Sequence, residues 1–403
     1  MMEAVAVDKA FAPEPIAVLG TVAWLAGLRR SAFARFEELG FPTPQNEDWR
    51  YTGVQRITGT NWTRVRREPE LISLPPAGAR VRRLSEALRD AKPYLAQIAR
   101  FEASAFAALN TALLDDALVL EIEKGVVLAE PIQLVFRSDG AEGPEVQYPR
   151  VLILAGERSQ ASVVQTYAGQ GRYFTNAVTE IALGEGALLE HTVLQQESPA
   201  ACHVHTLAAR QARASHFTSH NLGFGAALAR TDISVLLDAE GAECTLNGLF
   251  VGRGEQHIDN HTTIDHAKPR CVSRELYKGI LDDAARGVFH GKVIVRQDAQ
   301  KTDAVQTNKN LLLSRRALVN STPALEILAD DVKCKHGSTT GQLDAAALFY
   351  LRSRGIGEDA ARALLTRAFA SDVAERIRIP SVRAEVEREL GERLSGAAAG
   401  ASR

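Results

Sequence analysis

The hydrophobic period of this chain switches from 3.6 to 2 near Ala117 and back again after Thr340, and that pair of switches limits the fold more than any other feature. Between them, ALVLEI, GVVLAEPIQLVF, RVLILA, SVVQTY, AVTEIAL and ALLEHTVL are short β-rich runs separated by Gly, Asp and Ser clusters. From the middle onward, turn signals fall near Gly225, Asp238, Gly252, Lys268-Pro269, Asp282, Gln297, Arg315 and Asp330, roughly 14 to 18 residues apart, the rhythm of stacked coils. No helix-length segment interrupts them. A meandering β-sandwich also uses short strands, but it favours two-residue hairpin loops of the Asn-Gly kind, and here Asn247-Gly248 lies inside a strand-like run. The pattern predicts a parallel β-helix or related solenoid, with the sandwich as the competing arrangement.

The flanks read as helix. Leu19, Val22, Leu25, Leu28, Phe33, Phe36 and Leu39 recur at helical spacing over residues 16–39, ending at Gly40 and Pro42. The polar segment FPTPQNEDWRYT follows, then helical patterns over 84–98 and 103–114. After Thr340 come AAALFYLRSRGI, EDAARALLTRAFASDVAERI and SVRAEVERELGERL, separated by Gly355 with Gly357 and by Pro380. The expected division is a helical region over residues 1–115, a β-helix core over 116–340 and a helical region over 341–403. Terminal helices can cap the open end of a solenoid, whose backbone is otherwise unpaired, or serve as a docking arm.

Charge and cysteine content narrow the function. Lys and Arg total 47 against 49 Asp and Glu, a net charge of -2, which disfavours a nucleic-acid partner. The four cysteines lie in no CxxC pair, so neither a disulfide framework nor a zinc knuckle is expected. The first residues lack the basic start and apolar run of a signal peptide, and no stretch of 18 apolar residues occurs; a soluble, cytoplasmic protein without a membrane partner is the expectation. G-x-x-x-x-G-K-[ST], G-x-G-x-x-G opening a helix and G-x-S-x-G are all missing. ATP binding by this chain, Rossmann dehydrogenase chemistry and α/β-hydrolase chemistry are accordingly disfavoured.

Three clusters contain residues suited to metal or sulfur. In Val332-Lys333-Cys334-Lys335-His336 an extended backbone puts Cys334 and His336 on one face, a soft and a borderline ligand together, although two ligands do not close a site. In GEQHIDNHTTIDHAKPRC, His257, Asp259, His261, Thr263 and Asp265 alternate with Ile258 and Ile264, which favours a polar outer strand face over a metal site of His257, His261, His266 and Cys271, because His266 and Cys271 lie past or beside the turn at Lys268-Pro269. In ARGVFHGKV, Phe289, Val293 and Val295 face inward and leave His290 and Lys292 outside, where they could meet an anionic or sulfur-bearing species.

NEDWRYT (46–52), ALNTALLDD (108–116), ARGVFHGKV (285–293), AVQTNKNLLLS (304–314) and ALEILADDVKCKHGSTTGQLDAAALFYLRSRGI (324–356) strongly resemble the SufB/SufD family of the SUF iron-sulfur cluster assembly system, in its SufD branch. The resemblance runs from about residue 46 to about residue 379. It implies a right-handed parallel β-helix between helical regions and a non-catalytic scaffold. It further implies pairing with SufB through the β-helix, docking of the ATPase SufC on the C-terminal helices and the possibility of a homodimer in isolation. A transient iron-sulfur cluster, iron entry and reduced flavin (FAD) on the assembled complex belong to the same expectation. On the family pattern His336 is a cluster ligand at the SufB interface with Cys334 close by, whereas His290, Lys292 and Cys271 have weaker claims. The SufB branch carries an E-H-E-A stretch where this chain has Cys334-Lys335-His336-Gly337. A β-helix carbohydrate-active enzyme would need clustered catalytic carboxylates, and a hexapeptide-repeat acyltransferase would need a strict six-residue repeat.

Overall fold

A computed structural model describes residues 11–12 and 22–395. The N-terminal region contains α1 (Ala23–Leu39), a 3-10 turn (Glu47–Trp49), α2 (Gln55–Thr58), β1 (Thr63–Arg64), β2 (Glu70–Leu71), β3 (Ala79–Arg83), a second 3-10 turn (Leu84–Glu86), α3 (Leu88–Ala91) and α4 (Ala105–Ala112). The first strands of the coil are β4 (Leu118–Ile122), β5 (Ile132–Gln147), β6 (Arg150–Ala155), β7 (Gln160–Leu183), β8 (Leu188–Gln196) and β9 (Cys202–Gln211). They continue with β10 (His216–Gly223), β11 (Leu228–Leu237), β12 (Glu243–Gly252), β13 (His257–His266) and β14 (Val272–Leu281). The last are β15 (Arg286–Val295), β16 (Asp303–Leu312), β17 (Leu318–Ile327) and β18 (Lys333–Gly341), followed by α5 (Ala345–Ser353), α6 (Glu358–Ala374) and α7 (Pro380–Ser395).

From β8 onward each strand pairs in parallel with the next but one. Strands β8, β10, β12, β14, β16 and β18 form one ladder, sheet 1. Strands β9, β11, β13, β15 and β17 form the other, sheet 2. The long β7 gives its first half to β8 and its second half to β9, and β4, β5 and β6 extend the two ladders toward the N-terminus. This pairing requires a coil and rules out the sandwich: the core is a parallel β-helix. A coil returns to register after 26 residues (Cys202 to Leu228) to 33 residues (Leu118 to Val151), so the turn rhythm in the sequence marks half-coils. Every turn signal named above falls between strands or at a strand end. Gly248, in register with Tyr277, shows why Asn247-Gly248 is no hairpin: a Cβ there would lie 2.1 Å from the Tyr277 ring, which fills that position inside the coil.

The interior is apolar on many rungs but carries a buried polar column. His191 Nε2 lies 2.7 Å from Gln165 Oε1, and Thr179 Oγ1 links Gln165 (3.1 Å) to His205 Nε2 (3.0 Å). Burial, with His220 beside it, pushes the His191 imidazole down to about 3, and burial with His203 and His191 holds His205 well below its ordinary value. Nearer the C-terminal end Gln306 Nε2 donates to Glu275 Oε2 at 2.7 Å, and burial pushes the Glu275 carboxyl up to about 7.

The N-terminal region differs from an all-helical cap. Its strands β2 and β3 pair antiparallel with β5 and β4. The part of the first helical pattern over residues 16–21 lies outside the described residues, and the pattern over 84–98 is interrupted. Pro93 follows α3 and cannot donate a helical hydrogen bond, while the amides of Ala96, Ile98 and Ala99 donate to Glu180 (3.0, 3.2 and 3.0 Å). Glu180 also pairs with Arg150 at 2.6 Å, both side chains fully buried, and Arg150 Nη1 donates to Asn110 Oδ1 and Thr111 Oγ1 of α4. Phe36, Phe106 and Leu109 pack with Phe174 and Val204 beside this network.

The C-terminal helices do not cap the solenoid end, contrary to one of the two sequence expectations. Helices α6 and α7 lie along the outer face of sheet 1, where Val373, Ile377, Val382, Val386 and Leu390 pack with Leu222, Leu249, Val251, Leu276 and Ile280. Lys278 Nζ, on that face, donates to the Phe369 carbonyl (2.7 Å) and pairs with Asp372. The outward apolar residues of sheet 1 give the helices a surface to bury their own apolar side chains against.

Replacing Glu180 by Ala leaves Arg150 buried without its counter-charge and frees three amides. The expected cost is about 3–5 kcal/mol, with accelerated hydrogen exchange over residues 96–99; unchanged exchange there would sink the docking role. For Glu275, the raised folded value means its stabilising contribution is complete below the unfolded value of 4.5 and is lost as pH rises through about 7. The stability difference between wild type and Glu275→Gln, from denaturant titrations, should therefore shift against wild type by about 3 kcal/mol between pH 4.5 and 8. A flat difference would contradict the assignment; taking the difference removes the opposite trend of the buried histidines.

Candidate functional site

Strands β17 and β18 form the last rung, and among the described residues no further rung pairs with them. Strand β18 is exposed almost throughout, β17 has no buried residue and exposes Leu318 and Ile327, and Leu328 just after it is exposed too. Pro323 sits in β17, a position tolerated only in a strand with a free edge.

On this rung Cys334 is in register with Ala304 and His336 with Gln306, both of which are buried inside the coil. Register therefore turns Cys334 and His336 toward the coil interior, at the level where the interior opens to solvent. Cys334 packs against Val293, Val295, Ala299 and Ala304, and burial together with the charge of Asp303 raises its thiol pKa. His336 continues a stack that descends through Gln306 to Glu275. A half-covered thiol and an exposed imidazole on an uncapped rung provide soft and borderline ligands without a closed coordination shell.

The other sequence candidates lie elsewhere. His290 is on the outer face of sheet 2, its ring 4.9 Å from that of His261. Lys292, on the same face, is held by Glu326 (2.8 Å). Cys271 is fully buried in the turn before β14, its Sγ donating to the Ala239 carbonyl (3.3 Å), and burial raises its pKa. The structure thus brings Cys334 and His336 together and separates them from His290 with Lys292 and from Cys271. His266 is buried and bonded to Ser273 (2.9 Å), and His257 to Thr52 (2.8 Å).

Sequence reasoning passed over Arg230 and read Asp259 only as part of a polar strand face. Arg230 stacks under Trp49, 3.8 Å from the ring centroid, and donates to the Asp48 carbonyl (2.6 Å) and to Asp259 Oδ2 (2.7 Å). Thr52 Oγ1 donates to the same Asp259 oxygen at 2.6 Å. Burial opposes ionisation of Asp259, but Arg230 and His261 overcome it and hold the carboxyl well below the usual range. These contacts fix the NEDWRYT segment to sheet 2. The coil repeat was the signal available: Arg230 and Asp259 stand opposite each other one coil apart.

Comparison with known proteins agrees with this architecture. Residues 136–369 match the family model for the SufBD core domain of SUF-system FeS cluster assembly, and residues 71–134 match the SufBD N-terminal region. An iron-sulfur cluster assembly SufBD family protein of Synechocystis is 37% identical over 287 residues, 69% of this chain and 63% of that protein. The iron-sulfur cluster assembly protein SufD of Escherichia coli is 32% identical over 389 residues, 89% of this chain and 90% of its own length. The SufD of Bacillus subtilis is 26% identical over 286 residues, 69% of this chain and 64% of that protein. A parallel β-helix with Cys334 and His336 on its open rung, matched along both regions to one family, leads to one conclusion: the chain belongs to the SufB/SufD family of SUF-system iron-sulfur cluster assembly proteins, in its SufD branch.

Proposed function

We propose that this chain is a scaffold subunit of a cytoplasmic SufBCD complex and supports iron entry and nascent cluster formation at its interface with SufB. The observation that carries this reading is the uncovered last rung, where Cys334 and His336 point into the coil mouth. A partner of the same fold can continue the parallel ladder across that edge and supply the missing ligands. Shared, incomplete ligation suits a cluster that is cargo: each subunit alone holds it weakly, and separation of the two releases it.

The C-terminal helices supply the second part of the proposal. Helix α5 has no buried residue and exposes Phe349 (75%) and Tyr350 (57%), an apolar surface suited to docking SufC. Only residues 342–344 separate it from β18, so displacement of α5 by an ATP-driven partner would act first on the rung that bears His336. Reduced flavin is placed on the assembled complex, with no residue of this chain assigned to it.

Co-expression with the SufB and SufC proteins of the same organism should return a three-component complex, and truncation after Thr340 should remove one SufC copy. A full-length chain that ignores both partners under reducing conditions would overturn the proposal. Within the complex, His336→Ala should lower the cluster content after anaerobic reconstitution by at least about tenfold while leaving subunit stoichiometry unchanged; equal loading would remove His336 from the ligand set. Cys334 is the one cysteine among the four that is not buried. Iodoacetamide should therefore modify it selectively in the native chain, faster as pH rises toward its raised pKa, and SufB should protect it. Equal labelling with and without SufB would place the interface elsewhere.

A further inference from the structure

The NEDWRYT turn and sheet 2 together assemble a set of ligands that the assembly role does not use. His261 and His290 are register partners on β13 and β15, and the spacing of parallel strands sets their rings edge to face, 4.9 Å between centroids. Asp48, from the 3-10 turn Glu47–Trp49, reaches over them, so that one ligand atom from each of Asp48, His261 and His290 lies within 4.8 Å of the other two. No other group of His, Cys, Asp and Glu among the described residues meets that condition. Metal-to-nitrogen bonds of about 2.1 Å put ligand pairs roughly 3–3.5 Å apart. Closing the set needs torsional adjustment of the imidazoles as well as of Asp48, whose exposed side chain has room to move.

Behind the three stands a buried carboxylate. Asp259 is 1% exposed; its Oδ2 is occupied by Arg230 and Thr52, while Oδ1 accepts no hydrogen bond and lies 3.1 Å from His261 Nε2. A metal-bound imidazole commonly gives its second ring nitrogen's proton to such a carboxylate, which fixes both tautomer and orientation. Arg230 completes the frame by holding Asp259 and the Asp48 carbonyl at once. The carboxylate that orients the histidine and the turn that delivers the third ligand are thus positioned by one guanidinium.

We propose that Asp48, His261 and His290 bind one divalent transition-metal ion of the Fe(II) or Zn(II) class on the outer face of sheet 2, with Asp259 as the positioning residue behind His261. Two imidazoles and one carboxylate leave coordination positions open, the arrangement of an exchangeable site and not of a closed structural one. Borderline nitrogen ligands favour such ions over Mg(II), which prefers oxygen. The site is separate from Cys334 and His336, and the proposal stands whether or not the chain assembles with partners.

The test uses the full-length chain under anaerobic, reducing conditions, with Co(II) as a spectroscopic probe and equilibrium dialysis against Fe(II), Zn(II) and Mg(II). One Co(II) per chain, with visible ligand-field bands and displacement by Zn(II), is expected. His290→Gln and Asp48→Asn should each weaken binding by at least about tenfold, Asp259→Asn by about 10- to 100-fold, and Cys334→Ala with His336→Ala should leave it unchanged. Asp48 is exposed, so its variant keeps the result interpretable if changes at the buried Asp259 impair folding, and thermal unfolding of each variant checks this. Absence of Co(II) and Zn(II) binding at millimolar concentration, binding that survives both Asp48→Asn and His290→Gln, or Mg(II) binding of equal strength would each overturn the proposal.

Discussion

A parallel ladder satisfies the backbone of each strand with the strand one coil later, and it therefore leaves the last strand unsatisfied. At its N-terminal end this coil resolves the difficulty by reversing direction, with β2 and β3 pairing antiparallel against β5 and β4. At its C-terminal end no such closure exists among the described residues: α6 and α7 turn aside to cover sheet 1 and leave β17 and β18 open. The difference follows from where apolar surface remains to be buried. The outer face of sheet 1 bears Leu222, Leu249, Val251, Leu276 and Ile280, and helices satisfied by that face have no reason to reach the coil mouth. The free edge and the two metal-capable side chains on it are consequences of the same packing decision.

The outer face of sheet 2 is covered by other means. There the N-terminal region is fastened by charge buried in pairs, Glu180 with Arg150 and Asp259 with Arg230, each of which also captures backbone groups of the covering segment. Such pairs add little net stability over an apolar contact, yet they are costly to break singly, and so they specify which segment lies where. The NEDWRYT turn is held by this kind of interaction, with the Trp49 ring over Arg230 closing the site from above.

Legibility in the sequence followed the range of each interaction. Alternation along a strand is local, so the inward Phe289, Val293 and Val295 and the shared face of Cys334 and His336 could be read directly, as could the half-coil rhythm of the turns. Contacts one coil apart depend on coil length, which varies from 26 to 33 residues, so the 29-residue offset that joins His261 to His290 and Arg230 to Asp259 is not fixed by the turn rhythm alone. The interruption after α3 was hidden for a related reason: helical spacing over residues 84–98 is real, but Pro93 and the distant Glu180 redirect the backbone. An amphipathic stripe on α6 or α7 likewise announces burial without naming the surface that provides it.

The polar column inside the coil bears on why the last rung is chemically different from those before it. Burial holds His191 and His205 as neutral imidazoles and keeps Glu275 largely protonated below neutrality, so ionised groups are disfavoured along the closed part of the interior. Above Glu275 the stack passes through Gln306, a neutral group that can both donate and accept, to His336 at the mouth. Gln306 is as buried as Glu275, and the first position on that path where a charged ligand set can be solvated is the open rung. A thiolate and an imidazole placed any deeper would carry the burial penalty seen at Cys244, whose thiol is held far above its ordinary range. At the mouth Cys334 keeps enough cover to exclude competing solvent on one side while the other side stays open to whatever completes its coordination.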